Sequence, residues 1–140
     1  MRYSPPIADG RTVVNKKEAF NSDIITVLES NFSKGKSQSK TFALNFVGAN
    51  DEQTANNVWN YLRHKIKYKR DSEKRQQIRL PARLVADAST GADCKSFALF
   101  ACSILANLGF KVGFRYASYS GSSTPTHVYC IASKNGRQYI

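Results

Sequence analysis

The stretch Gly91–Gly109, GADCKSFALFACSILANLG, constrains the fold more than any other part of the chain. At about 100° per residue, Phe97, Ala98, Ala101, Ile104, Leu105 and Leu108 share one face of a helix. Ser96, Ser103 and Asn107 fall on the opposite face. Asp93 suits the N-cap, and Gly109 suits the left-handed residue that ends helices. Cys94 then sits in the first turn, near the middle of the apolar face, with its sulfur directed at whatever the helix packs on. The positive end of the helix dipole favours thiolate there, and so nucleophilicity. Taken alone, such a cysteine is more often a small buried core thiol.

The downstream sequence adds a partner. FKVGFRYASY is a strand-like run, SGSSTP a loop, and Thr126–Ala132, THVYCIA, a second strand that starts on His127. A cysteine at a helix start followed by a histidine opening a β-strand is the layout an imidazole needs to reach a thiolate across a helix–sheet contact. In these residues the chain resembles the transglutaminase-like cysteine superfamily, which shares the papain-type fold. The resemblance rests on GADCKSFALFACSILANLGFKVGFRY followed by THVY, with RQQIRLPARLVADASTGADC upstream similar to bacterial and bacteriophage versions. It covers roughly Asn56 to Ile140.

The resemblance implies an α+β fold of papain/transglutaminase type, the nucleophile helix packed on an antiparallel β-sheet. It implies acyl transfer at amide bonds of a protein or peptide, with Cys94 as nucleophile, His127 as base and no cofactor. Hydrolysis and transamidation stay open, since the acceptor is set by loops such as Tyr119–Thr126. For the oxyanion, the Cys94 backbone N–H at the helix start is one donor. Gln77, or its neighbour Gln76, is a tentative second, by analogy with the glutamine of papain-like enzymes; a polar loop role is the alternative. The family pattern also expects an acidic or amide residue on the strand after the histidine. Lys134-Asn135-Gly136-Arg137 has the pattern of a tight hairpin with Lys134 facing Arg137. In that register the residue opposite His127 lies about four places beyond Ile140, so the last catalytic strand is cut short. A catalytically silent, structural or virion-associated relative is therefore the competing expectation.

Composition narrows the remaining classes. The 140 residues suit one domain, and 41% hydrophobic with 11% aromatic content is that of a packed globule. No segment reaches membrane-spanning length, and MRYSPPIADG lacks the apolar core of a signal peptide, which points to a cytoplasmic or virion-associated protein. Three cysteines without C-x-x-C spacing give neither a disulfide framework nor a zinc ribbon, and two histidines make a metal site unexpected. Cys102 belongs at the border of the helix's apolar face, packed. Cys130 lies an odd number of residues from His127, on the other face of its strand. The net charge is +11, and eight of the 21 basic residues lie within Arg63–Arg79. With Tyr68 the only aromatic inside that run and no nucleic-acid motif beside it, a solvated basic face is preferred to a nucleic-acid site.

The first half of the chain supplies covering elements. Residues 1–14 form an extended arm, and Asn15 caps a helix over Lys16–Ser30 with Phe20, Ile24, Val27 and Leu28 inward. Asn31–Lys40 is a flexible polar loop, and the alternation of Phe42, Leu44 and Phe46 predicts a strand over Thr41–Val47. Asn50 and Gln53 resemble a capping box before a helix Glu52–Ile66, with Ala55, Val58, Trp59, Leu62 and Ile66 as its inner stripe. Trp59 is expected as a core anchor and His64 as a surface residue. Asp71–Thr90 lacks a period; Leu80, Leu84 and Val85 pin it to the domain.

Overall fold

The computed structural model describes residues 1–6, 11–14, 22–71, 76–117 and 127–140. It is a mixed helix-and-sheet fold. The elements run β1 (Arg11–Val14), α1 (Ser22–Gln38), a 3-10 turn at Phe42–Phe46, α2 (Asp51–Lys65), β2 (Gln76–Arg79), α3 (Pro81–Ala86), α4 (Cys94–Asn107), β3 (Lys111–Ala117), β4 (His127–Lys134) and β5 (Arg137–Tyr139). One antiparallel sheet has the order β3-β4-β5, and β1 pairs with β2 in a second, two-stranded one.

Helix α4 is the axle of the molecule. It starts on Asp93, whose carboxylate accepts from Lys95 N, and it closes on Gly109 at φ +89°. Of the face that the periodicity predicts, Ala98, Ile104 and Leu105 are buried while Phe97, Ala101 and Leu108 are half-buried. Leu99, Phe100 and Cys102, off that face, are fully buried, and so are Ser96 and Ser103 of the supposedly polar face. Ser96 and Ser103 are 0% exposed: α1 lies against Ser103, and the Ser96 hydroxyl accepts from Arg79 N of β2 at 2.9 Å. A Cβ built on Gly35 of α1 would stand 2.6 Å from Ser103 Oγ, so the contact depends on small residues at both positions. On the remaining sides α4 meets the 3-10 turn, α2, α3, β2 and the three-stranded sheet. The main core gathers at Phe100, whose ring stacks on Tyr61 at 5.6 Å and meets Phe42 and Phe46 edge-on.

Several local readings are corrected. The polar stretch Asn31–Lys40 is not a loop: α1 continues through it to Gln38, held by Gly35 and Ser39 packed inward. Phe42, Leu44 and Phe46 do not alternate in a strand. In the 3-10 turn Phe42, Ala43 and Phe46 go inward while Leu44 stays 46% exposed. Residues 11–14 of the expected arm form β1, and Tyr3 exchanges two hydrogen bonds with the Asn45 side chain. Asn50 caps α2 as expected, but the Gln53 amide turns to Asn57, leaving only half of the capping box. Asn15, Lys16 and Phe20 lie outside the described residues, as do the side chain of Ile24, Lys74, Arg75 and the loop Ser118–Thr126.

Other expectations hold. Leu80 and Leu84 are buried, and the segment they pin forms β2 and α3, with Pro81 at the first helical position. His64 is exposed and Cys102 fully buried. Lys134 pairs with Arg137 across Asn135-Gly136, both at positive φ, and Ala132 with Tyr139. The basic run loses one member: Arg79 is 3% exposed and bonded to Asp87, so it belongs to the interior, whereas Arg63, Lys65, Lys67, Lys69 and Arg70 are exposed.

Phe100 and Ser103 make opposite demands on a stability measurement. Phe100→Ala removes the centre of the aromatic cluster and is expected to cost about 3–5 kcal/mol in urea unfolding. The Ser103 hydroxyl is buried with no hydrogen-bond partner among the described residues, so Ser103→Ala is expected to lose nothing measurable or to gain slightly.

Candidate functional site

A cavity of about 320 Å³ opens between α2, α4 and β4, and both Cys94 and His127 line it. Its walls are mainly apolar: Val58 and Leu62 from α2, Phe97, Ala98 and Ala101 from α4, and Val128 from β4. Trp59 lines it as well and is 52% exposed. This corrects its expected role as a core anchor. Ala55, Val58, Leu62 and Ile66 fill the inward stripe of α2, and Trp59 stands at the stripe's flank, donating from Nε1 to Ile140 O at 3.1 Å.

The strand β4 exposes an edge to this cavity. β5 covers only Ala132–Lys134, whereas β3 pairs with β4 along Ser133 to His127 on the other side. Lys134 and Ala132 face β5 across the hairpin, so the main-chain groups of Cys130 and Val128 point to the same, uncovered side. The Val128 N–H there faces Cys94 Sγ.

One further group converges on the sulfur. The Tyr68 hydroxyl lies beside both Cys94 Sγ and the Cys94 backbone N–H at the helix start. Tyr68 reaches this point because Ala92 N donates to Lys67 O and Lys69 N to Ala92 O in a short parallel bridge, with Lys67 N donating to Ala88 O, and because its ring meets Phe97 edge-on at 5.3 Å. A Cβ on Gly91 would lie 2.8 Å from Lys67 O, and Gly91 adopts φ +93°; no other residue type fits that approach without strain. Sequence reading missed Tyr68; its only signal was an aromatic residue isolated in a basic run.

Cys94 is 7% exposed, and burial pushes its thiol above the ordinary range. The Val128 N–H, the Tyr68 hydroxyl and the Lys95 charge pull the other way; the Asp93 charge adds to the rise. The expected thiolate-favouring helix start is therefore outweighed by desolvation. Burial also lowers the His127 pKa, against an opposing pull from the Asp93 charge. Side chains alternate along β4, turning Val128 and Cys130 to α4 and His127 with Tyr129 to the other face, where their rings lie 5.9 Å apart. Among the described residues no hydrogen bond joins Cys94 Sγ to the imidazole.

Below the sulfur lies a buried ionic network. Lys95 is 1% exposed; its Nζ bonds to Asp93 Oδ2, to Gln76 Oε1 at 2.6 Å, and pairs with Asp71 Oδ2 at 3.5 Å. Asp93 Oδ2 also accepts from Asp71 N at 3.3 Å, and Asp71 Oδ2 from Gln77 N at 2.8 Å. Gln76 is thereby committed to Lys95. Gln77 is not among the residues lining the cavity, and its Oε1 is buried without a partner among the described residues. The tentative glutamine oxyanion donor is absent from the sulfur, and Tyr68 stands there instead.

No group of three or more His, Cys, Asp or Glu able to hold a metal occurs among the described residues, and none of their helices is long and apolar enough to cross a membrane. No protein-family model, curated protein or solved structure matches the chain.

Two measurements follow from this geometry. Because burial raises the thiol, alkylation of Cys94 by iodoacetamide should be slow at mildly acidic pH and rise through and beyond the ordinary thiol range; Tyr68→Phe, which removes a bond to the thiolate, should slow it several-fold at fixed pH. Peptide-resolved mass spectrometry reads both. The same burial makes the unfolded chain ionise first, so stability should fall as pH climbs above the ordinary thiol value. Lys95→Met leaves Asp93 and Asp71 without their cation and is expected to cost about 3–5 kcal/mol, a loss that the added change Asp71→Asn should partly restore.

Proposed function

We propose that the protein catalyses cysteine-dependent acyl transfer at amide bonds, with Cys94 as nucleophile and His127 as proton carrier, on a transglutaminase/papain-like fold. The observation that carries this reading is the sulfur itself. It lies at the start of a buried helix, in a cavity that His127 shares, with an N–H and a hydroxyl already directed at it.

In this mechanism a substrate carbonyl enters the cavity and displaces the Tyr68 hydroxyl from the Cys94 N–H. The imidazole, whose neutral form burial favours, rotates about its side-chain bonds into the shared cavity and accepts the thiol proton as Sγ attacks the carbonyl carbon. The oxyanion takes hydrogen bonds from the Cys94 N–H and the Tyr68 hydroxyl. Collapse of the tetrahedral intermediate breaks the C–N bond, and His127 returns its proton to the leaving amine. Water, or a second amine, then attacks the thioester and frees the thiol. The apolar walls and the half-exposed Trp59 favour a substrate with a bulky apolar group beside the reacting carbonyl.

A second reading, a catalytically silent member of the same fold acting as a structural protein, draws on the raised thiol and on the imidazole that does not bond to it. Peptide amides and activated thioesters carrying a large apolar side chain separate the two. The enzyme is expected to accumulate an acyl adduct on Cys94 in wild type and none in Cys94→Ala. His127→Ala should lower the acylation rate by about 10²–10⁴-fold. Wild-type protein that iodoacetamide labels at Cys94 but that forms no acyl adduct would establish the silent reading.

A further inference from the structure

The two cysteines that the proposed reaction does not use face each other across the interior. Cys102 lies in the middle of α4, 0% exposed, with Sγ donating to Gly113 O at 3.5 Å. In the β3–β4 register Gly113 stands opposite Ile131 and Phe114 opposite Cys130, so this carbonyl lies one position from Cys130. Cys130 points to α4 on the same face as Val128 and Ala132, which places its thiol beside that of Cys102. Their exposure differs in a useful way. Cys130 is half-buried and lines the cavity, so a small molecule entering there meets its sulfur first, while Cys102 is sealed behind it. Cys94 directs its own sulfur to Val128 and Tyr68.

We propose that Cys102 and Cys130 form a thiol-modification site that accepts small-molecule disulfides of the glutathione type and closes to an internal disulfide between α4 and β4. The Cys130 thiolate attacks one sulfur of the incoming disulfide, forming a mixed disulfide and releasing one thiolate, which takes up a proton. Cys102, after losing its proton to solvent, attacks the Cys130 sulfur of that adduct and expels the second thiolate. The two protein thiols are oxidised by two electrons, and the reagent leaves as two thiols. The Cys102 thiol is held well above its ordinary range by its Cys130 neighbour and by burial, so closure is the slower step and quickens with pH. The bond ties the middle of the nucleophile helix to the strand that presents Val128, across one wall of the cavity.

The test uses the full chain, excess oxidised glutathione at mildly alkaline pH, a maleimide quench, intact-mass measurement and peptide mapping. The expected product is lighter by two hydrogens before the quench label is counted. It carries a Cys102–Cys130 linkage, with Cys94 recovered as its maleimide adduct. It should melt about 5–15 °C higher than the reduced protein and return to it with dithiothreitol. Cys102→Ala should stop at a glutathione adduct on Cys130, and Cys130→Ser, at a half-buried position, should leave Cys102 unmodified. A glutathione adduct that persists on wild-type Cys130, a linkage that involves Cys94, or no closure where an exposed reference dithiol is fully oxidised would each overturn the proposal. Since Cys94 is scored separately, none of these outcomes bears on its role as nucleophile.

Discussion

Lys95 holds the site together. Its ammonium sits at the base of α4 among Asp93, Asp71 and Gln76, with almost no access to water. Such a group is tolerated only when its desolvation is offset by close oxygens, and here those oxygens come from three separate segments. Asp93 caps the helix, Asp71 closes the chain that leads out of the Tyr68 bridge, and Gln76 opens β2. One cation therefore fixes the start of the helix, the approach of Tyr68 and the strand beneath them. The sulfur of Cys94 is one residue away from all of this.

A buried helix start sets two electrostatic effects against each other. Aligned backbone N–H groups favour the thiolate, and removal of water disfavours it. In this protein desolvation prevails, and the Val128 N–H and the Tyr68 hydroxyl recover only part of the difference. Burial of this kind favours the neutral thiol over the thiolate. In the proposed reaction, a carbonyl that takes over the Cys94 N–H changes which groups face the sulfur, so reactivity is gated by occupancy more than by bulk pH.

What the sequence revealed tracks where the signal is local. The α4 cap at Asp93, its end at Gly109 and the Asn135-Gly136 hairpin rest on backbone conformations that a few residue types dictate, and each was legible. The continuation of α1 through NFSKGKSQ was not, since that stretch has no apolar stripe and owes its helix to close packing of Gly35 and Ser39. Ser96 and Ser103 looked solvent-facing for a related reason: small hydroxyl residues serve equally at a water surface and at a tight helix contact. Lys95 and Tyr68 carry no pattern at all. Their roles arise from residues far away in the chain, which a periodicity count does not see. Cys94 and His127 were placed at one cavity by their order along the chain, but strand alternation decided which way the imidazole turns.

Gly91 shows how far a single missing side chain can reach. The Lys67–Lys69 segment crosses directly over it, and the space that a methyl group would fill is taken by the Lys67 carbonyl. That crossing sets the distance from the Tyr68 ring to the helix. Any larger residue at 91 would lift the segment, and the hydroxyl would leave the sulfur before the core noticed the change. The glycine thus acts as a spacer of fixed thickness between a loop and a thiol. Tolerance to substitution there would be measured more sensitively by the chemistry of one sulfur atom than by the melting of the whole domain.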